Sequence, residues 1–177
     1  MILIIYVKNI LNNNNKYIIK TKILKHGKYE GETKNDLMEG KGIYYYNNGS
    51  RYEGEFKNNL CEGKGIVYIN NGDRYIGEFK NGNREGKGID YYNDERWKGD
   101  RYEGDYKNDL REGKGIFYFN DGDRYEGDYK NNLKEGKGIF YYNDGSREMG
   151  DYLKGKRVGK HVSLLPNGEI KTNNYFL

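Results

Sequence analysis

Hydrophobic and polar residues alternate along most of this chain, and the alternation recurs as a fixed unit. The unit Tyr-Glu-Gly-Glu-Phe-Lys begins at Tyr52, and its opening tyrosine returns every 23 residues, with one interval of 27. The opening tyrosines are Tyr29, Tyr52, Tyr75, Tyr102 and Tyr125, and a degraded sixth copy starts at Glu148. A repeat of this length indicates small units stacked on one another, which favours an extended surface over a catalytic pocket.

The segments between copies carry the signals of hairpin turns. These are the dipeptides Asn48-Gly49, Asn71-Gly72, Asp121-Gly122 and Asp144-Gly145. Such dipeptides favour a two-residue type I′ turn, because both central residues accept a positive φ. A turn on Asn48-Gly49 predicts that Tyr45 pairs with Tyr52 and Ile43 with Gly54. The same register predicts that Tyr68 pairs with Tyr75 and Tyr118 with Tyr125.

The predicted fold is all-β, an elongated, twisted and open antiparallel single sheet of stacked hairpins. Alternation of side chains along each strand predicts one face of tyrosine, isoleucine and glycine, and an opposite face that is mostly charged. No helical period is present to cover the apolar face. We therefore expect it to be buried by curling of the sheet, by a second chain or by a partner.

The repeat divides the chain into three parts. We expect residues 1–28 to be an N-terminal extension with a capping strand, residues 29–170 to be the repeat domain, and residues 171–177 to be a tail. Met1–Val7 is apolar but far shorter than the ~20 residues of a membrane span, and it lacks signal-peptide features. The run Asn12–Asn15 predicts a flexible connector.

Charge argues against nucleic acid as a partner. Lys and Arg total 31 against 27 Asp and Glu, and the two signs are interleaved rather than clustered. A row of lysines could bind anionic lipid headgroups, but a glutamate stands two residues before each, which favours a mutually neutralised face. The lysines are Lys41, Lys64, Lys87, Lys114 and Lys137, and the glutamates are Glu39, Glu62, Glu85, Glu112 and Glu135.

No set of residues predicts catalysis. Cys61 is the only cysteine, and the two histidines, His26 and His161, lie far apart, so we expect no catalytic residue, metal site or cofactor. Gly63-Lys64-Gly65 lacks the hydroxyl residue and helix of a phosphate-binding loop. The oxygen-rich segment at residues 120–123 fits a turn better than a calcium site. A lone cysteine is compatible with the reducing cytoplasm.

Residues 52–74, with the pattern Tyr-Glu-Gly-Glu-Phe-Lys-Asn-x-x-x-Glu-Gly-Lys-Gly-Ile-x-x-Tyr-x-Asn-Gly-Asp-Arg, closely resemble the MORN repeat (membrane occupation and recognition nexus). The resemblance covers residues 29–147 strongly and 148–170 weakly. It departs in the widened third copy, where residues 95–98 enlarge a turn, and at Thr33, where an aromatic residue is expected. The family implies one hairpin per repeat in a sheet that scaffolds protein assemblies, often as a dimer. Phosphoinositide or membrane binding is also implied.

We interpret the chain as a non-catalytic scaffold for a protein or peptide partner, or for a second copy in a homodimer. The alternative is a peripheral membrane module that binds anionic lipids such as phosphoinositides. Trp97 is either a contact hot spot or a loop residue folded back on the sheet. We expect a cytoplasmic protein, which lipid binding would bring to a membrane. The predicted interaction surface consists of Tyr45, Tyr52, Tyr68, Tyr75, Tyr91, Trp97, Tyr102, Tyr118, Tyr125 and Tyr141.

Overall fold

The computed structural model of the chain describes residues 3–6 and 18–176, and the regular structure among them is entirely β. The chain forms two compact units, residues 1–85 and residues 86–177. The predicted all-β class of consecutive antiparallel hairpins is confirmed. The connector expected at residues 12–15 lies outside the described residues.

Strands follow one another with short turns. The strands of the first unit are β1 (Leu3–Tyr6), β2 (Ile18–Leu24), β3 (Gly27–Lys34), β4 (Leu37–Tyr46), β5 (Arg51–Lys57), β6 (Leu60–Tyr68) and β7 (Arg74–Lys80). The strand β8 (Asn83–Tyr91) crosses the boundary between the units. The second unit continues with β9 (Arg101–Lys107), β10 (Leu110–Tyr118), β11 (Arg124–Lys130), β12 (Leu133–Tyr141), β13 (Arg147–Leu153), β14 (Lys156–Leu164) and β15 (Ile170–Tyr175). Within each unit, every strand pairs antiparallel with its neighbours in sequence.

The tight two-residue turns lie inside the copies rather than between them. Asn58 and Asn59, which join β5 to β6, have φ angles of 50° and 68°, as a type I′ turn requires. The equivalent pairs, with both residues at positive φ, are Asn35-Asp36, Asn81-Gly82, Asn108-Asp109, Asn131-Asn132 and Lys154-Gly155. Asparagine tolerates this conformation better than other residues with a side chain, which explains why it dominates these positions.

The turns between copies are one residue longer than predicted. The N–H of Tyr46 donates to the carbonyl of Ser50 at 2.9 Å, so the loop contains Asn47, Asn48 and Gly49. Only Gly49 among these has a positive φ, of 88°, and the Asn48 side chain accepts a hydrogen bond from the Ser50 N–H at 3.0 Å. This is a three-residue loop in which glycine closes a tight bend, not a type I′ turn.

The longer loop shifts the register by one residue, and the predicted pairs are wrong. Tyr44, not Tyr45, pairs with Tyr52, and Gly42, not Ile43, pairs with Gly54. Likewise Val67 pairs with Tyr75, and Phe117 pairs with Tyr125. A slip of one residue moves a strand's side chains to the other face, so the two groups of tyrosines expected to share a face lie on opposite faces.

We name the two faces by these tyrosines. The tyrosine face carries Tyr29, Tyr52, Tyr75, Tyr102 and Tyr125. The groove face carries Tyr45, Tyr68, Tyr91, Tyr118 and Tyr141.

The tyrosine face buries itself without a second layer. The Tyr52 ring is 0% exposed and lies against the backbone of Gly54 and Gly65, which pair directly across β5 and β6. Its hydroxyl donates to the Glu55 carbonyl at 2.9 Å. A Cβ atom on Gly65 would lie 2.4 Å from the Tyr52 ring, so glycine is required for this close approach. The predicted pairing of each of these glycines with an isoleucine is wrong, because the register places glycine directly across from glycine.

Neighbouring copies cover the sides of each buried ring. Phe56 and Phe79 meet Tyr52 edge to face, with ring centroids 5.1 Å and 5.0 Å away. In the second unit, Tyr106 and Tyr129 flank Tyr102 at 5.5 Å and 5.0 Å in the same geometry. Such pairs contribute about 0.5–1.5 kcal/mol beyond burial, and here they link successive copies into one aromatic row within each unit.

Side chains also tie each copy to the next at its turns. The Glu39 carboxylate accepts the backbone N–H of Asn58 at 2.9 Å, and Asn59 accepts the N–H of Met38 through its side-chain oxygen at 2.8 Å. At the opposite edge, the Asn70 side chain donates to the carbonyl of Asn48 at 2.9 Å. These bonds satisfy backbone groups that the strand ladders leave unpaired at the turns.

The last copy replaces the tyrosine–glycine pair with a different pair that fills the same space. Glu148 stands where the tyrosine is expected, and His161 stands where a glycine is expected. The His161 ring is 0% exposed and covers Gly150, and its Nε2 donates to the carbonyl of Asp151 at 2.9 Å. Its Nδ1 lies 3.0 Å from the Glu148 carboxylate. In the preceding copy, Tyr125 donates to the carbonyl of Asp128, which is the position equivalent to Asp151. His161 therefore makes the same hydrogen bond as the missing tyrosine would, although its ring comes from the opposite strand of the hairpin.

Replacing Gly65 by alanine should destabilise the fold by about 2 kcal/mol, because the new methyl group overlaps the buried Tyr52 ring. Urea denaturation monitored by far-UV circular dichroism measures the change. The matched control is Lys64→Ala, at the exposed neighbouring position, which should stay within about 0.5 kcal/mol of the wild type. A Gly65→Ala protein as stable as this control would contradict the packing described.

The fold should lose stability steeply above pH 10. Burial raises the pKa of the phenols of Tyr29, Tyr52, Tyr102 and Tyr125. Below pH 10 both folded and unfolded states hold these protons, so the stability is fully present. Above pH 10 the unfolded chain releases them first, which favours unfolding.

Urea denaturation at a series of pH values between 8 and 11.5 tests this expectation. The control is a triple variant, Tyr52→Phe with Tyr102→Phe and Tyr125→Phe, which lacks three of the buried phenols. Its free energy of unfolding should depend less on pH above 10 than that of the wild type. Equal slopes for the two proteins would show that these phenols are not the source.

Candidate interaction surface

The groove face has a central row of side chains in which apolar and acidic residues alternate. In the first unit, Glu30 pairs with Ile43, which pairs with Glu53, and Glu53 pairs with Ile66. The second unit continues the pattern with Ile89, Glu103, Ile116, Glu126 and Ile139. Each strand contributes one residue to this row because the register repeats in every copy.

The row forms the floor of a groove in each unit. The groove in the second unit has a volume of about 830 Å³, and the one in the first unit about 410 Å³. Ile116, Ile139 and Met149 line the larger groove together with the backbone of paired glycines such as Gly127 and Gly138. A side chain at these glycine positions would point toward the buried tyrosine. The groove is therefore lined only by backbone at these positions.

Half-buried tyrosines of the groove face stack with cations from the preceding strand. The Arg51 guanidinium lies 3.8 Å from the centroid of the Tyr68 ring, and Arg101 lies 4.2 Å from that of Tyr118. The remaining pairs are Arg124 over Tyr141 at 4.0 Å and Lys28 over Tyr45 at 4.7 Å, while Tyr91 pairs in register with Arg101. These rings keep part of their surface accessible, as an aromatic contact site requires.

The structure thus divides the predicted interaction surface into two sets. Tyr45 and Tyr68 lie on the groove face of the first unit, and Tyr91, Tyr118 and Tyr141 lie on the groove face of the second. Tyr52, Tyr75, Tyr102 and Tyr125 lie on the tyrosine face with exposures of 0–2%. The second set is already packed against glycine backbone and neighbouring rings, so a partner could reach it only by disrupting the core.

Trp97 lies in the enlarged loop of the third copy with 40% of its surface exposed. The Arg96 guanidinium lies 4.8 Å from its ring centroid, and the Asp94 side chain accepts the backbone N–H groups of Arg96 and Trp97 at 3.0 Å and 3.1 Å. Asp94 therefore holds the shape of the loop.

Two lysines of the groove-face row are neutralised, but not by the predicted glutamates. Lys87 pairs with Asp105 at 2.6 Å, and Lys114 pairs with Asp128 at 2.5 Å. These aspartates lie directly across the ladder from the lysines. The glutamates Glu39, Glu62, Glu112 and Glu135 instead accept backbone N–H groups of the following copy at 2.8–3.1 Å. The predicted partner is wrong because a β-bulge separates each of these glutamates from the lysine that follows it, so the two side chains do not face each other.

The sequence also missed a set of residues that cover the buried tyrosines. Arg84, Arg111 and Lys134 place their cations 5.3 Å, 4.5 Å and 4.3 Å from the ring centroids of Tyr75, Tyr102 and Tyr125 respectively. The position looked tolerant because the other copies hold Met38, Cys61 and Arg157 there. Arg84, Arg111 and Lys134 share a long side chain that lies over a tyrosine ring. The variety of residue types at this position does not reveal that role.

Asp90 marks a polar cluster on the tyrosine face of the second unit. Other copies place Val67, Phe117 or Phe140 at this position. Tyr106 donates to the Asp90 carboxylate at 2.5 Å and Tyr92 donates to it at 3.1 Å. Burial raises the pKa of the Tyr106 phenol, and the adjacent carboxylate adds to the effect. The cluster therefore joins the copy that carries the enlarged loop to the following copy, which starts at Tyr102.

Few of the described side chains are suited to act as a nucleophile or a metal ligand. Burial raises the pKa of the Cys61 thiol to about 12, so the thiolate is scarce at neutral pH. Within residues 18–176, no group of three or more His, Cys, Asp or Glu side chains is arranged to hold a metal ion. A search of the described residues for a helix long and apolar enough to cross a membrane finds none.

Comparison with known families matches five copies in this chain. The sequence model of the MORN repeat fits residues 29–51, 52–74, 75–94, 102–124 and 125–147. Comparison with curated proteins gives no match.

Similar solved structures are distant. The TCP domain of Drosophila melanogaster SAS-4 (dCPAP), solved with a proline-rich motif of Ana2 (dSTIL), is 18% identical, with a TM-score of 0.45 over 77% of this chain and 84% of that one. The TCP10 domain of Danio rerio CPAP is 14% identical, with a TM-score of 0.36 over 98% of this chain and 94% of that one. These values are too low to transfer a property of those domains to this chain.

Replacing Lys134 by methionine should stabilise the fold by about 1 kcal/mol at pH 7, because the buried ammonium is costly to desolvate. Burial lowers the pKa of Lys134 to about 8, with a contribution from Arg157. Below pH 8 both states are protonated and the folded state carries the full cost. As pH rises through 8, the folded state loses its proton before the unfolded state does, so the advantage of the variant should shrink.

Urea denaturation at pH 7 and pH 9.5 measures both effects. Methionine suits the site because Met38 holds the same position in the first copy, where it is 6% exposed. Lys130→Met, at an exposed position, is the control. Destabilisation by Lys134→Met at pH 7 would mean that the attraction between the cation and the rings outweighs desolvation.

Proposed function

Because the chain belongs to the MORN-repeat family, we propose that it is a non-catalytic scaffold that binds a protein or peptide partner along the groove face. The observation that carries the proposal is the groove of the second unit, about 830 Å³ in volume and lined by Ile116, Ile139 and Met149 beside rows of charged residues. Recessed apolar surface with a polar rim is the usual composition of a recognition site.

The opposite face is poorly suited to this role. Its rings are buried within the chain and support the fold, whereas the tyrosines of the groove face are half-buried and flat against arginines. A partner that covers Tyr68 or Tyr118 gains aromatic contact area without breaking the core. The proposal therefore retains the groove-face half of the predicted interaction surface and omits the tyrosine-face half.

Anionic lipid binding has less support than protein binding. Two lysines of the row already pair with aspartates at 2.5–2.6 Å, so a membrane would meet charges of both signs. Membrane recruitment by basic residues depends on an excess of positive charge near the surface. We propose a cytoplasmic protein on the ground given above, that a single cysteine, Cys61, is compatible with a reducing compartment.

Replacing Tyr68 and Tyr118 together by serine should weaken capture of partners by at least about tenfold, since each loss removes an aromatic anchor. The measurement is affinity capture with the full chain from the cells that produce it, followed by quantitative mass spectrometry. A Leu133→Ser protein, changed at an exposed apolar residue beside a tight turn, is the control.

Circular dichroism must first establish that the double variant is folded. Equal capture by a folded double variant and the wild type would contradict binding on the groove face. Sedimentation of the same proteins tests whether a second copy is the partner, and flotation with phosphatidylserine vesicles at low salt tests the lipid alternative. Co-flotation of the wild type without any captured protein would favour the lipid alternative instead.

A further inference from the structure

The groove of the second unit changes character at its last copy, because two rows of acidic residues end there. Along the central row, the residues paired with Ile116, Ile139 and Val162 are Glu126, Met149 and Thr172. Along the lysine row, the residues paired with Lys87, Lys114, Lys137 and Lys160 are Asp105, Asp128, Asp151 and Asn174. Both rows pass from carboxylates to uncharged side chains.

The first change creates a continuous apolar patch. Ile139 pairs with Met149, and Met149 pairs with Val162, so three apolar side chains stand side by side where four of the five full copies have a glutamate in the middle. Met149 is 40% exposed and lines the groove. An exposed methionine adapts its shape to the side chain that it meets.

The second change leaves positive charge without a partner. The lysine-to-aspartate distance is 2.6 Å at Lys87 and 2.5 Å at Lys114, but 3.9 Å at Lys137, whose side chain is 89% exposed. Lys160 faces the amide of Asn174, and within residues 18–176 no carboxylate lies within ion-pairing distance of its ammonium. Within the second unit, the lysine row is therefore neutralised at Lys87 and Lys114 and carries more positive charge at Lys137 and Lys160.

The two changes coincide only in the last copy. In the third copy, Ile76 also replaces the central glutamate, but Glu78 remains directly across from Lys64. Neither change serves the core, because Met149 and Lys160 are both exposed. The core of this copy is instead rebuilt on the opposite face by Glu148 and His161.

We propose that this end of the groove, formed by Lys137, Ile139, Met149, Lys160 and Val162, binds an acidic segment of a partner protein in extended form. A large apolar side chain of the segment lies on Met149, and a neighbouring carboxylate contacts Lys160, which has Asn174 rather than a carboxylate across from it, whereas Lys137 already has Asp151 across from it at 3.9 Å. Charge complementarity identifies the occupant, since Lys137 and Lys160 are less neutralised than Lys87 and Lys114, the other lysines of this row in the second unit. The inference rests on the proposed function and assigns the chemistry of the partner.

A narrow segment fits this arrangement better than a membrane surface. The cationic end adjoins Glu126 and Asp128 of the preceding copy, which line or border the same groove. A flat anionic surface wide enough to meet both lysines would also approach these carboxylates, whereas a single extended chain can lie along the cationic end alone.

Selection of a random peptide library displayed on phage against the immobilised full chain tests the inference. Peptides enriched on the wild type should share an acidic residue next to Leu, Ile, Met or Phe. Fluorescence anisotropy with the synthetic peptides should show about tenfold weaker binding to Met149→Glu, which restores the residue of other copies, and to Lys160→Glu. The matched control, Lys64→Glu, makes the same change at the equivalent position of the second copy and should bind as the wild type does.

Four outcomes would overturn the inference. The first two are a failure to enrich any peptide and the enrichment of peptides that lack acidic residues. The third is a peptide that binds both variants as tightly as it binds the wild type. The fourth is that Lys160→Glu no longer floats with phosphatidylserine vesicles while its binding of the peptides is unchanged. The proposed function fails separately, when the Tyr68 and Tyr118 double variant captures partners as well as the wild type does. A third result separates the two proposals: a peptide binds Met149→Glu and Lys160→Glu as it binds the wild type, but does not bind the Tyr68 and Tyr118 double variant. The scaffold role would then stand, and the peptide would contact another part of the groove.

Discussion

A tyrosine ring lying flat on a pair of glycines is the contact on which the rest of this structure depends. The pair brings two backbones within reach of the ring, the hydroxyl donates to a backbone carbonyl, and rings from adjacent copies close the sides. One face of a single sheet thereby becomes a core. The low aliphatic content of the chain is explained by this arrangement, because aromatic area replaces the second layer that most sheets need.

Much of the fold could be predicted from the sequence, and the part that could not depends on one residue per turn. The period, the strands and the hairpins follow from alternation and turn residues, since both are local properties. The register does not, because Asn48-Gly49 is compatible with a two-residue or a three-residue loop, and Asn48 bonding to the Ser50 N–H selects the longer one. Asn58-Asn59, which lacks glycine, is the type I′ turn. That single choice decided which tyrosines are buried and which can meet a partner.

The candidate site shows the same division between local and non-local information. Five of the nine expected tyrosines are accessible, and Lys87 and Lys114 are neutralised by Asp105 and Asp128, which only the register brings near. Arg111 and Lys134 looked arbitrary because their role is to cover rings that lie on another strand. Residues on the groove face are outside the core, so substitutions such as Met149 can alter recognition at little cost to stability.

The side chains of Glu39 and Asn59 accept hydrogen bonds from backbone N–H groups of the neighbouring copy, so each joint depends on the backbone of the adjoining turn and not on the residues that the neighbour displays on its groove face. An interface of that kind accepts any copy that keeps the same turn geometry, whatever residues it displays toward the groove. Duplication or loss of a complete unit in the gene would consequently yield a chain whose joints already fit. Such a protein can evolve longer or shorter binding surfaces in whole steps, and can acquire a new specificity in one step without redesigning the others.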